Sequence, residues 1–459
     1  SDWIDIKTMD GAPLNLPMQS NFDGESLDLS RQQLDPGYAM ILAWWLTTPF
    51  TAAVVSINCL QNNFGDEGLS TLLSAIKGTS VRSLCGLTEG QTIADFSGQN
   101  LGPFDCKIMA AESAFSGFIA AVKKINLSGC PLAGAVKRSG NWYEIDSDMT
   151  GFIALCGVLG KLHEINMSDC GLGAASAGEF AKAVSDADAA VNSLTLDSNG
   201  IFGGLYSDGT VREADKFVVE VQPLLDALKT SSITSLSLRG TGMGVKGVAA
   251  VADAMSAMRS VAHIDISEAI IGDASHALVE AVKSSSCLES ITIAKGVKLP
   301  LKGQYDSDIF DAAKKGIKSG DAALIAWWLT TPVTASIASL KLDSNGIFGE
   351  LYSDGAVKEA DKFVAEVQPF LDALKTSSLT SLSLRSTGMG VKGIIAATDA
   401  IRAMPSIASL TLDSNGIFGE IWGDGSAKEA DKFVAKVQPF LDELKTASIT
   451  SLSLRGTGM

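Results

Sequence analysis

The chain has 459 residues, with 36 Lys+Arg against 52 Asp+Glu and a formal net charge of −16. No excess of cations is left to neutralise the phosphates of a nucleic acid, so none is expected as a partner. With 46% hydrophobic and 19% charged residues and only 12 prolines, the composition is that of a packed chain rather than a disordered one, and its longest apolar runs, such as residues 38–46, fall well short of the roughly 18 residues of a membrane span.

From the N-terminus, residues 1–23 carry Trp3, Ile4, Ile6 and Leu14 and are expected to fold over the first strand as a cap. Ser1-Asp2-Trp3 has no initiator Met, which suggests a processed chain or one that begins inside a longer precursor. Trp44-Trp45 ends an apolar helical stretch before a Thr-Thr-Pro turn, and Trp327-Trp328 repeats the arrangement; one Trp of each pair should face the core and the other the outside.

Strand-and-turn units of the form L-x-L-x-x-N-x-I/L then recur along the chain. The clearest are Leu194-Thr-Leu196-Asp-Ser-Asn199-Gly-Ile201, Leu340-Lys-Leu342-Asp-Ser-Asn345-Gly-Ile347 and Leu410-Thr-Leu412-Asp-Ser-Asn415-Gly-Ile417. Weaker copies start at Leu27, Ile57, Ala94, Ile125, Ile165, Leu236, Ile264, Ile291, Leu382 and Leu452, giving thirteen starts. Some of them belong to long duplications: residues 193–247 and 339–393 match at 47 of 55 positions, and residues 409–459 match the second copy at 40 of 51. The ladder position is Asn62, Asn199, Asn345 or Asn415, replaced by Cys130, Cys170, Thr241, Thr387 or Thr457 in other copies. An amide there can bond the backbone groups that a tight corner leaves unpaired. Between strands the period is helical, as in Phe217, Val221, Leu224, Leu225 and Leu228; Pro223, Pro369 and Pro439 fall inside these helices and should kink or split them.

This pattern resembles the leucine-rich repeat family, and its 28-to-29-residue unit with a helix after each strand resembles the ribonuclease-inhibitor-type branch. That branch supplies sensing domains of NOD-like receptors, Ran GTPase-activating proteins and many algal and protist proteins. The resemblance implies an α/β solenoid, or horseshoe, with a parallel concave sheet and convex helices, here a single solenoid over residues 24–459. The chain stops at Leu454-Arg-Gly-Thr-Gly-Met459, where earlier copies run on into a helix, so continuation past Met459 or a partner against that edge is expected.

Catalytic signatures are weak. His163, His263 and His276 lie in no metal-binding pattern, and the seven cysteines form no CxxC pair, which favours buried thiols in a reduced intracellular compartment. Gly242-Met-Gly244-Val-Lys-Gly247 and Gly388-Met-Gly390-Val-Lys-Gly393 satisfy GxGxxG, but no acidic fingerprint follows; the glycines read as corner residues needing positive φ. No enzyme activity, cofactor or metal is expected.

Two surfaces remain. Alternate repeats place opposite charges at one strand position, Asp197 then Arg239, Asp343 then Arg385, and Asp413 then Arg455, which parallel neighbours would let pair laterally. The long repeats carry insertions just after the ladder position with Tyr206, Tyr352 and Trp422, and residues 131–150 carry a related one with Trp142 and Tyr143. Aromatics on such loops dominate interfaces, or else fold back over their own corner. The expected function is a non-catalytic protein-binding scaffold, a structural or assembly subunit of a larger complex. The alternative is a regulator of a small GTPase, for which Arg31 and Arg82 are the candidate catalytic arginines.

Overall fold

The computed structural model describes residues 3–7, 13–17, 20, 22–115, 117–185, 189–352, 355–422, 426–445 and 447–459. The chain divides into two compact units, Ser1–Ser237 and Leu238–Met459. Each is a stack of strand–helix repeats of the leucine-rich-repeat type. In the first unit, Ser26–Asp28 pairs with Ser56–Asn58, and Ile93–Asp95, Lys124–Asn126, Glu164–Asn166, Ser193–Thr195 and Ser235–Ser237 form one parallel run. In the second, His263–Asp265 pairs with Ser290–Ile293, and a second parallel run joins Ile309–Asp311, Ser339–Lys341, Ser381–Ser383, Ser409–Thr411 and Ser451–Ser453. All thirteen repeat starts fall in strands, in register at the leucine: Ile125 faces Ile165, and Leu340 faces Leu382.

The alternation explains the core. A three-residue strand turns its middle side chain inward, and the next apolar residue two positions on follows it, so Leu194 and Leu196, Leu340 and Leu342, and Leu410 and Leu412 are all buried. Helices close the other side of this layer. Pro36–Leu46 packs on Gly65–Ile76 and Ala174–Ser185 on Val218–Thr230 in the first unit, as Ser319–Leu329 packs on Ser275–Ser284 and Gln368–Leu374 in the second. No repeat buries its strand alone, so each depends on its neighbours.

The Asn ladder forms as expected. The Asn199 amide donates to the Met167 carbonyl at 2.7 Å in the preceding repeat and to Leu196 at 3.0 Å in its own, while its oxygen accepts from the Cys170 and Leu172 N–H groups at 3.0 and 3.1 Å. Asn62, Asn345 and Asn415 bridge neighbouring repeats in the same way. Cys170 keeps one such bond, from Sγ to the Leu127 carbonyl, and the threonines bond a carbonyl of their own repeat, Thr387 to Leu384 at 3.0 Å, with a longer contact from the Thr387 hydroxyl to the Asn415 amide oxygen at 3.4 Å.

The parallel sheet is interrupted inside each unit. In the first, residues 83–85 bridge to the strand at 56–58, and on their far side the buried carboxylate of Glu112 accepts from the Leu84 and Cys85 N–H groups and the Ser83 hydroxyl. In the second, Val297–Pro300 folds back antiparallel on Ser290–Ile293. The strand Ile309–Asp311, which the sequence reading missed, then starts the next run with Phe310 at the leucine position.

The prolines act differently among near-identical copies. Val218–Thr230 runs as one helix with Pro223 inside it, whereas in the later copies the helix is cut back to Gln368–Leu374 and Gln438–Leu444, with the proline in the first turn where its missing N–H costs nothing. Of the tryptophan pairs, Trp45 and Trp328 are wholly buried, Trp44 is 50% exposed and Trp327 half-buried. At the N-terminus, Trp3–Lys7 and Pro13–Pro17 pair antiparallel, and the Phe22 N–H donates to the Phe50 carbonyl while its ring meets the Trp45 ring edge-on; residues 1–2, 8–12, 18–19 and 21 of the expected cap lie outside the described residues.

Candidate functional site

Every insertion is a β-hairpin. Val136–Arg138 pairs with Asn141–Tyr143 and Gly204–Leu205 with Val211–Glu213 in the first unit; Glu350–Leu351 pairs with Val357–Glu359 and Glu420–Ile421 with Ala427–Glu429 in the second. Each long-repeat hairpin is anchored at its base. Phe202, Phe348 and Phe418 are buried, and their carbonyls accept from the N–H groups of Phe217, Phe363 and Phe433, which return the chain to the repeat. Gly349 backs directly on Gly388 of the next repeat, and a side chain at Gly388 would lie 2.7 Å from the Gly349 backbone, so the two chains can approach only as glycines.

In the second unit a charge clamp stiffens the hairpins. Glu350 pairs with Lys358 at 3.2 Å and Lys362 at 3.0 Å; Glu420 pairs with Lys428 at 3.1 Å and Lys432 at 2.5 Å. The Lys362 and Lys358 ammoniums hold the Glu350 carboxyl below its ordinary range. In the first unit Gly204 stands at this position and the clamp is missing.

Beyond these anchors the aromatics separate into two groups. Tyr206, Tyr352 and Trp422 occupy the last paired position before each turn, their N–H groups bonded to Thr210, Ala356 and Ser426, and they are 54, 56 and 57% exposed. Lys428 lies 5.4 Å from the Trp422 ring centre. Tyr143 is also exposed, beside the Arg138 guanidinium. Trp142 instead folds back: its indole N–H donates to Asp169 at 2.8 Å, Lys137 stands 4.8 Å over its ring, and its edge fills the space beside Gly171. Trp142 covers the corner of the following repeat.

Neighbouring hairpins meet within each unit. The turn at Gly140 touches Ser207 in the first, and residues of the 350–359 and 420–429 hairpins line one cleft of about 580 Å³ in the second.

A contact invisible in the sequence links hairpin to scaffold. Asp361, at φ 61° where the hairpin ends, accepts from the N–H groups of Gly390 at 2.7 Å, Lys392 at 2.8 Å and Gly393 at 2.8 Å, capping helix Val391–Ala403. Asp146 does the same for Ala174–Ser185 through Gly173 and Ala175. The amides of the GxGxxG string are thus already taken by a protein carboxylate, which explains the motif without a nucleotide. Of its glycines only Gly242 and Gly388 have positive φ; Gly244 and Gly390 are extended N-caps, correcting the reading of all of them as left-handed.

The charged stripe also differs from its expected form. Asp343 accepts from the Arg385 backbone N–H at 3.0 Å and the Ser383 hydroxyl at 2.6 Å, and Asp413 bonds Arg455 and Ser453 identically. The aspartates therefore pin the neighbouring strand's backbone, and the exposed Arg385 and Arg455 guanidiniums make no ion pair among the described residues. Asp197 accepts from Ser237 in the same manner, and Arg239 pairs with Glu268 at 2.9 Å. Arg82 is held by its own loop carbonyls at Thr79 and Val81, and Arg31 bonds Gln61. Among the described residues no group of three or more His, Cys, Asp or Glu could hold a metal ion, and no helix is long and apolar enough to cross a membrane.

No protein-family description matches the sequence, and no curated protein matches it either. Among solved structures, the chain is similar to a chain of a TLR13–ssRNA13 complex, with 11% identity over 84% of this chain and 49% of that one and a TM-score of 0.29; it thus spans about half of that chain. It is also similar to an internalin from Listeria monocytogenes, with 12% identity over 88% of this chain and 81% of that one and a TM-score of 0.27.

Proposed function

We propose that the protein is a non-catalytic protein-binding scaffold, a structural or assembly subunit that engages its partner through the hairpin edge of its repeats. The observation that carries this reading is the repeated presentation of Tyr206, Tyr352 and Trp422, each more than half exposed on a hairpin anchored to a buried phenylalanine. A large aromatic held outward on a rigid support loses little conformational freedom on binding and offers the contact area typical of interface anchors. Tyr143 extends the same edge in the first unit, whereas Trp142 is excluded from it by its bond to Asp169. The outward guanidiniums of Arg385 and Arg455 supply polar contacts on the strand face, with Asp343 and Asp413 holding the strands behind them.

The test compares the native chain with a Tyr206, Tyr352, Trp422 triple-alanine variant in affinity capture from the source organism, followed by a thermal melt of each. A defined set of proteins lost in the variant, with the melting temperature nearly unchanged, is expected. Equal capture by both, or a large fall in melting temperature, would remove the aromatics from the interface.

A further inference from the structure

The second unit contains a cavity of about 780 Å³ between the hairpin 350–359 and the turns of the two preceding repeats. Its size falls within the range of small-molecule sites. Ile270, Ile271 and Leu351 give it an apolar wall, and Tyr352 stands at its rim. Four lysines line it, Lys295, Lys314, Lys318 and Lys358, against a single carboxylate, Glu350, which is already engaged by Lys358 and Lys362.

Lys295, Lys314 and Lys318 make no ion pair among the described residues. The stem of Lys295 lies along Gly316, where an added side chain would come within 3.2 Å of its Cε, so a glycine there leaves room for the lysine beside the cavity. Lys318 adjoins the buried carboxylate of Asp321, whose Oδ2 accepts from its N–H; gathering three lysines beside so few carboxylates is unfavourable, and this chain has 52 acidic residues from which further partners could be drawn. The overall negative charge is screened beyond about 8 Å at physiological salt, so it does not cancel the local field.

Elsewhere the equivalent space is differently filled. In the first unit Ile145 packs within 3.6 Å of a side-chain position on Gly200, the counterpart of the cavity-lining Gly346. In the cleft next to the hairpin 420–429, four lysines, Lys358, Lys392, Lys428 and Lys436, face two carboxylates, Asp361 and Glu420. Of the two spaces in the second unit, the 780 Å³ cavity is the larger and carries the greater excess of lysine over carboxylate, four to one against four to two.

We propose that this cavity binds a small polyanion, a molecule with a phosphate-rich or polycarboxylate end, which Lys295, Lys314 and Lys318 surround while Ile270, Ile271 and Tyr352 take its apolar part. The site shares Tyr352 with the proposed interface but rests on the lysines, which that reading does not use. Titration calorimetry on the full chain with pyrophosphate in one arm and citrate in the other separates the two chemical sources. One of them binds with 1:1 stoichiometry, weakening with salt, and a K295Q/K314Q/K318Q variant binds about tenfold or more weakly, as the loss of three charge-assisted contacts implies. A K229Q/K283Q/K445Q variant, with the same change in net charge, keeps the native affinity. No binding of either probe, equal weakening in both variants, or capture of a glutamate-rich peptide by the three lysines with neither probe bound would overturn the assignment.

Discussion

Asp321 shows how one residue sets a stability balance that composition cannot reveal. It lies in the first turn of Ser319–Leu329, accepts from the Lys318 N–H at 3.0 Å through Oδ2, and leaves Oδ1 buried without a partner. Burial pushes its carboxyl from 3.8 up to about 6. The folded state therefore holds the proton more tightly than the unfolded one, so stability is greatest below the unfolded value and falls as pH rises from about 4 to about 6. At neutral pH the ionised group costs on the order of 1–3 kcal/mol. Asp321→Asn is expected to melt higher than the native chain at pH 7.5, with the gap closing towards pH 4; parallel melting curves across that range would contradict it. The Asn ladder gives a contrasting case. Asn199→Ala leaves two buried N–H groups without acceptors and is expected to cost about 2–4 kcal/mol, whereas Thr387→Val removes a hydroxyl whose main bond is to Leu384 of its own repeat, leaves the Asn415 oxygen its backbone N–H donors, and costs about 1 kcal/mol, measurable by denaturant unfolding. The ladder was legible in the sequence because amide and leucine recur at fixed spacing. Asp321 was not, because nothing local shows that its neighbours seal it from water.

At the scale of elements, the strands were legible wherever two aliphatic residues flank one polar residue ahead of a turn. Ile309–Asp311 escaped because Phe310 and Ala312 replace the leucines, and the irregular pairing at residues 83–85 escaped because its backbone is satisfied by Glu112, a residue of the following helix. The hairpins were recognised as insertions with exposed aromatics, but their attachment was not, since Asp361 meets its partners 29 to 32 residues later. That attachment has a measurable consequence. Asp361→Asn tolerates the left-handed backbone yet removes the charge and one acceptor, so it is expected to destabilise by about 1–2 kcal/mol, as for loss of a helix cap. Tyr352→Ala, which removes an outward side chain, is expected to stay within about 0.5 kcal/mol. If the two substitutions cost the same in chemical denaturation, either the cap is weak or the tyrosine is packed. The proline helices add a further lesson: near-identical copies form a helix of 13 residues at Val218–Thr230 but only 7 at Gln368–Leu374, so neighbours, not propensity, fix the start.

Across the whole molecule the seven thiols report how completely the repeats close. Six of them, Cys59, Cys85, Cys106, Cys130, Cys156 and Cys170, are buried, and all six lie in the unit Ser1–Ser237; Cys287, in the other unit, is half-buried with its Sγ 3.4 Å from the Met258 carbonyl. Burial raises every one of the six, Cys170 to about 12, because a thiolate cannot be solvated inside the stack. Since the thiolate is the reacting species, access and ionisation both oppose modification. An aromatic disulfide reagent at pH 8 is therefore expected to titrate one thiol of the native chain rapidly, identified as Cys287 by peptide mass mapping and abolished by Cys287→Ser. The other six become reactive only when their repeats open. Because each repeat is closed by the next, their labelling should rise together over one denaturant range rather than one by one from an end. Rapid native labelling of Cys130 or Cys170 would mean that the sheet corners open without unfolding. Stepwise labelling from Cys59 to Cys170 would mean that the stack frays repeat by repeat, with weak coupling between neighbours.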